Sequence, residues 1–275
     1  MNWVNWTAPT DPLPHAPTPS ARTDGPGVVT LRDEVAQTTH LRELIENLLA
    51  EPRQLGPDYQ PIHRLSDDRL VAVKATGRGQ PGSPLGDTLS LLGGARTLGL
   101  VERLDWAFRC LAFEDLAGRD DLDLHLTPEP EAFGTLCPPR LVTVWSAARR
   151  SLRVAAEFHS DAFTDLARLR NGLAEIREWG WKVVLTDLGD DADAWALAHE
   201  ITPDIVQIDL ARRSLADLDH AHEIRGRAAD WNAAIMAIGV DSSAARSVAL
   251  ELGATTARGQ IFGAPGALPA GPRQA

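Results

Sequence analysis

The sequence predicts an α/β chain folded as a TIM-like (β/α)8 barrel with an antiparallel first strand. Three observations predict it. From Tyr59 onward, about eight short apolar runs alternate with helical stretches, which is the count and spacing a barrel needs. The runs are apolar on both faces, as expected of parallel strands covered by helices. Only Ser66-Asp67-Asp68 and Arg69 lie between the first two runs. That link is too short for a crossover helix, so these two strands form a hairpin.

The elements follow in order. Residues 1–28 carry Pro9, Pro12, Pro14, Pro17, Pro19 and Pro26 among small polar residues, and read as a disordered tail. Trp3 and Trp6 precede those prolines, an aromatic pair that either docks on a partner or has no fixed position. Residues 29–57 read as a helix and linker: Leu31, Val35, Leu41, Leu44, Ile45 and Leu48 keep mostly helical spacing, Asp33 and Glu34 suit the N-terminal dipole, and Pro52 ends the helix. The barrel is expected over 58–268, with strands at Tyr59–Leu65, Leu70–Ala75, Leu122–Leu126, Leu152–Phe158, Lys182–Leu188, Ile205–Leu210, Ala233–Val240 and Thr255–Ala257. Between them lie amphipathic segments such as Phe163–Trp179. Residues 77–86, rich in Gly and Pro, read as a flexible connection, and 269–275 as a flexible tail.

Composition bounds the function. A net charge of −11 argues against a general nucleic-acid or anionic-membrane surface, because polyphosphate binding needs concentrated positive charge. Arg149, Arg150 and Arg153 read as the solvated end of a helix. Cys110 and Cys137 offer neither a disulfide framework nor metal-ligand spacing, and are expected as small core residues in a reducing cytoplasm. The N-terminus lacks the pattern of a signal peptide, and no apolar run approaches the roughly 20 residues of a membrane span.

Active sites of such barrels form where the strands end. Those positions hold Lys74, His125, Glu157, Asp187, Asp209, Asp241 and Arg258. The four acids suit a divalent metal, or they cap the helices that follow, as Asp187 and Asp241 could.

The residues also resemble a family. Tyr59-Gln60-Pro61-Ile62 with Val71-Ala72-Val73-Lys74-Ala75 and Arg78 looks like the opening of EAL domains, the cyclic di-GMP phosphodiesterases. Leu185-Thr186-Asp187-Leu188-Gly189 resembles their DDFG segment, and Pro203-Asp204-Ile205-Val206-Gln207-Ile208-Asp209 their P-D-x-x-K-I-D strand. Ala237-Ile238-Gly239-Val240-Asp241 resembles AEGVE, and Gly253 to Pro265 the closing segment. The resemblance implies a barrel with an antiparallel first strand, in agreement with the hairpin.

In active members, acids and one Asn hold two divalent metals that activate water to cut one phosphodiester bond. By that resemblance the signature glutamate is here Lys74, the metal-binding asparagine is His125, and the first Asp of DDFG is Thr186. The supporting lysine is Gln207, the AEGVE glutamate is Ile238, and a late glutamine is Arg258. Glu157 and Asp187 retain family acids. A unit charge about 4 Å from a metal is worth roughly 4 kcal/mol at an effective dielectric near 20, so Lys for Glu removes attraction and adds repulsion. The expectation is therefore no enzyme, no metal and no cofactor, but a regulatory module that binds an unidentified protein. Lys74 is expected to keep its charge and pair with Glu157 or Asp187. Gln60 and Arg78 match positions that touch the nucleotide, which keeps open a receptor for cyclic di-GMP or another nucleotide; residual phosphodiesterase activity is the third reading. The segment Asp190-Asp191-Ala192-Asp193-Ala194-Trp195 lacks the family's dimer pattern, which leaves a homodimer undecided.

Overall fold

The computed structural model describes residues 31–159, 166–186, 192–211 and 218–270. The expected tail at 1–28, residues 271–275 of the tail expected at 269–275, and Asp187 to Gly189 of the DDFG-like segment lie outside them. The chain forms two compact units, 1–39 and 40–275. Of the first, the described part is the N-terminal portion of helix α1 (Leu31–Ala50). The second holds the rest of α1 and a closed eight-stranded barrel.

The barrel runs β1 (Gly56–Arg64), β2 (Leu70–Arg78), helices α2 (Thr88–Thr97) and α3 (Val101–Asp115), β3 (Asp123–Leu126), α4 (Val142–Ser151) and β4 (Val154–His159). It continues with α5 (Leu166–Glu178), β5 (Lys182–Thr186), α6 (Ala192–Ile201), β6 (Ile205–Asp209), α7 (Leu218–Asp230), β7 (Ala234–Ile238), α8 (Ser243–Glu251) and β8 (Thr256–Ala257). From β2 to β8 all pairings are parallel, and β1 is antiparallel to both β2 and β8. The hairpin turn places Asp68 at φ 53°, a left-handed conformation that a short polar residue tolerates. The eight expected strands are present, shifted by one to three residues at their ends.

Two apolar clusters cover the outside of the wall. The larger fills the space between strands and helices, with Phe158, Leu124, Leu169 and Leu185 among its fully buried members. The smaller joins Ile45, Leu48 and Leu49 of α1 to Leu91, Leu92 and Leu104 of α2 and α3. Tyr59 ties β1 to α3 through a 2.7 Å hydrogen bond from its hydroxyl to Asp115.

Three sequence readings are corrected. Gly77 and Arg78 do not begin a flexible connection; they extend β2, opposite Pro57 and Gly56. The reason is packing: the ring of Phe108 lies where a Cβ at position 77 would stand. Cys137 is only half-buried, its thiol donating to the Pro138 carbonyl, while Cys110 is in the core. Asp241 does not cap α8. Ser242 does, accepting from the Ala245 N–H at 3.1 Å.

Glycine is required where backbones meet. A Cβ on Gly259 would fall inside the backbone of Val240, so Gly259→Ala should lower stability by roughly 1–3 kcal/mol in chemical denaturation. Gly93, exposed in α2 with open space around it, is the contrast: Gly93→Ala should raise stability by about 0.5–1 kcal/mol.

Candidate functional site

Strand alternation points His125, Glu157 and Gln207 into the barrel, on the side opposite their outward neighbours Leu124, Phe158 and Val206. Register stacks them: Lys74 lies beside His125 on β2 and β3, and Gln207 beside Met236 on β6 and β7. Since β1 runs the other way, its N-terminal half reaches the mouth, with Gln60 opposite Lys74. Lys74, His125, Glu157, Thr186 and Gln207 are five of the six buried polar or charged residues among those described. An interior of this kind stands only if its groups satisfy one another.

Glu157 is the centre. Its Oε2 accepts from the Lys74 ammonium at 2.7 Å and its Oε1 from His125 Nδ1 at 2.9 Å. A carboxylate only accepts, so His125 carries its proton on Nδ1. The Lys74 ammonium also donates to Thr127 Oγ1. Burial works to raise the Glu157 carboxyl, but the charge of Lys74, the hydrogen bond from His125 and the charge of Arg258 outweigh it and hold it well below the usual range. Burial pulls Lys74 below the ordinary lysine range, against the opposing charge of Glu157.

The other positions divide. Arg258, just after β8, donates from Nη1 to Gln60 Oε1 at 2.9 Å, and its Nε is buried with no acceptor among the described residues. Arg78 Nε lies 2.8 Å from Asp58 Oδ1, so its charge is met within the β1–β2 hairpin. Thr186 is buried at the end of β5 beside His159 in register. Among the described residues Gln207 reaches only the Met236 sulfur, at 3.9 Å, and Ile238 is half-buried at the end of β7. Asp209 and Asp241 serve the backbone, accepting from the N–H groups of Ala211 and Gln260 at 2.9 and 2.8 Å.

Two residues missed from sequence complete the rim. Thr127 stands two positions after His125, a period that signals the same face. Glu129 follows it; burial first, then the negative charge of Asp105, raises its carboxyl to about 7, with Arg96 opposing at 2.9 Å. The described side chains do not fit a divalent metal. Both Glu157 oxygens are engaged, an ammonium stands against one, and no cluster of three or more His, Cys, Asp or Glu able to hold an ion occurs among the described residues.

The family model of the EAL domain matches residues 41–265. The chain belongs to the EAL domain family. No curated protein matches it significantly. Among solved structures, the Xanthomonas citri FimX EAL domain in complex with c-di-GMP is 20% identical at a TM-score of 0.71, covering 86% of this chain and 97% of that one. The PaMucR phosphodiesterase in complex with c-di-GMP is 22% identical at 0.67, with 83% and 97% covered. The Bacillus subtilis YkuI protein, in complex with substrate c-di-GMP and calcium, is 19% identical at 0.65, with 82% and 60% covered. These likenesses carry the fold.

They also correct the expectation of a non-enzyme. The EAL domain match spans the barrel, and the structures it resembles include a phosphodiesterase and one whose cyclic di-GMP is a substrate. Changes at single positions do not take this chain out of that family.

Removing the ammonium tests the network. Lys74→Met leaves Glu157 buried beside His125 alone and should cost about 3–5 kcal/mol at pH 7, read by urea denaturation. The intact Glu157, depressed in the fold, contributes stability above its unfolded value that is lost as pH falls through its folded one. In the variant burial raises Glu157, so acidification relieves its cost. The gap between the two proteins should therefore narrow from pH 7 toward pH 4; a constant gap would count against the pairing.

Proposed function

We propose that the barrel mouth binds cyclic di-GMP, with the ligand's phosphate held by this chain's own cations. The observation that carries this reading is Arg258, half-buried at the mouth, braced by Gln60 and left with a buried Nε–H that has no acceptor among the described residues. A guanidinium fixed on one edge presents its remaining donors in a fork that matches a phosphate. Lys74 lies close enough for its charge to act on the same ligand, and Arg258 in turn depresses Lys74. Gln60 acts by orienting Arg258. Arg78 contributes less, because Asp58 already neutralises it.

Family membership supports the choice of nucleotide, and the similar structures in complex with cyclic di-GMP agree with it. A regulatory role through a protein partner would use the outer surface. The exposed large apolar residues there, Leu89, Leu136, Val142, Leu250 and Ile261, fall on different elements. Among the described residues no helix is long and apolar enough to cross a membrane.

The test is calorimetry with cyclic di-GMP, with and without Mg²⁺ or Mn²⁺, and chromatography of the nucleotide afterwards. Binding should occur without added metal and weaken about 10–100-fold in Arg258→Ala, the loss of one charge-assisted contact worth about 1.5–3 kcal/mol. Absence of binding, or binding that requires the metal, would sink this reading. Appearance of the linear dinucleotide would assign turnover to the same mouth.

A further inference from the structure

We propose a second ligand site, outside the barrel wall, for a planar fused-ring aromatic molecule that carries an anionic group. A cavity of about 340 Å³ lies over β3 and β4 between helices α3, α4 and α5. Its floor is Leu126, Val154 and Ala156, the residues that alternate with the inward His125 and Glu157, so the cavity and the mouth lie on opposite faces of the same strands. The volume is in the range of small-molecule pockets.

Four tryptophans form its walls. Trp145 meets Trp106, Trp179 and Trp181 edge-to-face at centroid distances of 5.3, 4.7 and 5.4 Å. Phe133 closes one side, its ring laid against Gly172 of α5 where a Cβ would stand. Rings locked by their neighbours present flat apolar faces at little entropic cost, which suits a flat ligand. Leu136, on the loop at the cavity, is 92% exposed, an apolar side chain that such a ligand would cover.

The polar groups select the sign of charge. Trp181 is 8% exposed, and its indole N–H has no acceptor among the described residues. That N–H is shut off from solvent, so the donor open to a ligand is the guanidinium of Arg149, an exposed residue. Arg149 lies 5.0 Å from the Trp179 ring centroid and has no carboxylate partner among the described residues. Arg109 stacks on Trp106 at 4.0 Å, although Asp105 neutralises it. A tryptophan cage can also hold a quaternary ammonium. Here guanidinium groups already lie over the Trp106 and Trp179 rings and would repel it. Glu175 and Glu178 of α5 also line the cavity and keep its total charge near balance. The Arg149 guanidinium, with no carboxylate partner among the described residues, therefore sets the preference.

The probes are naphthalene-2-sulfonate and flavin mononucleotide, titrated against the full chain and read by tryptophan fluorescence and calorimetry. Saturable one-to-one binding of at least one probe is expected, undisturbed by excess cyclic di-GMP. It should weaken at least tenfold in Arg149→Ala and in Trp179→Ala, changes at an exposed and a half-buried position that leave the core intact. Three outcomes would overturn the proposal: no saturable binding of either probe, equal binding by both variants, or choline bound more tightly than the probes. Displacement by cyclic di-GMP would instead place the probes at the barrel mouth and also reject it.

Discussion

A carboxylate sealed inside a barrel must be neutralised from within, and that requirement organises this molecule. Glu157 sits where the strand wall leaves little room for water, so its charge survives only because Lys74 and His125 each take one of its oxygens. The three residues come from adjacent strands β2, β3 and β4. Their contact demands the observed register, in which Lys74 and His125 are paired across β2 and β3. A one-residue slip of β2 would turn its lysine outward and leave the acid alone. The same constraint extends to the mouth, where Thr127 takes a further donor of the ammonium and Arg258 adds positive potential.

In a barrel of this kind a ring of acids calls for bound cations. Here the cation is covalent. An ammonium on a strand is always present and needs no supply from solution. It offers hydrogen bonds to an anion, whereas a metal ion offers open coordination positions. That difference is why the proposed phosphate site relies on donors.

Much of this was legible in the sequence because its causes are local. Short apolar runs mark strands whatever surrounds them, and the four polar residues 66–69 between two such runs permit only a hairpin. The position of Lys74 on its strand and of Glu157 on another was readable for the same reason. What failed had distant causes. Gly77 reads as loop chemistry until the Phe108 ring is brought against it from α3. Asp241 reads as a helix cap until Gln260, on the segment after β8, supplies a closer N–H. The burial that pulls Lys74 down comes from the whole barrel and is visible in no motif. The tryptophan cavity joins side chains from three separate stretches, and no periodicity connects them.

The antiparallel first strand has a mechanical consequence. β1 joins β2 along eight residue pairs but meets β8 through only two, His63 with Ala257 and Arg64 with Thr256. Strand β8 is thus a short link, paired through two residues with β7 on one side and with β1 on the other. Stitches outside the ladder reinforce it: Tyr59 with Gly266 across the backbone, Leu65 with Thr255, and Arg258 with Gln60. The last of these is also the pair proposed to grip a phosphate. Under the proposed phosphate site, a ligand that engages Arg258 would pull on a clasp across the β1–β8 seam, so occupancy of the mouth and cohesion of the barrel would be two readings of one fastening.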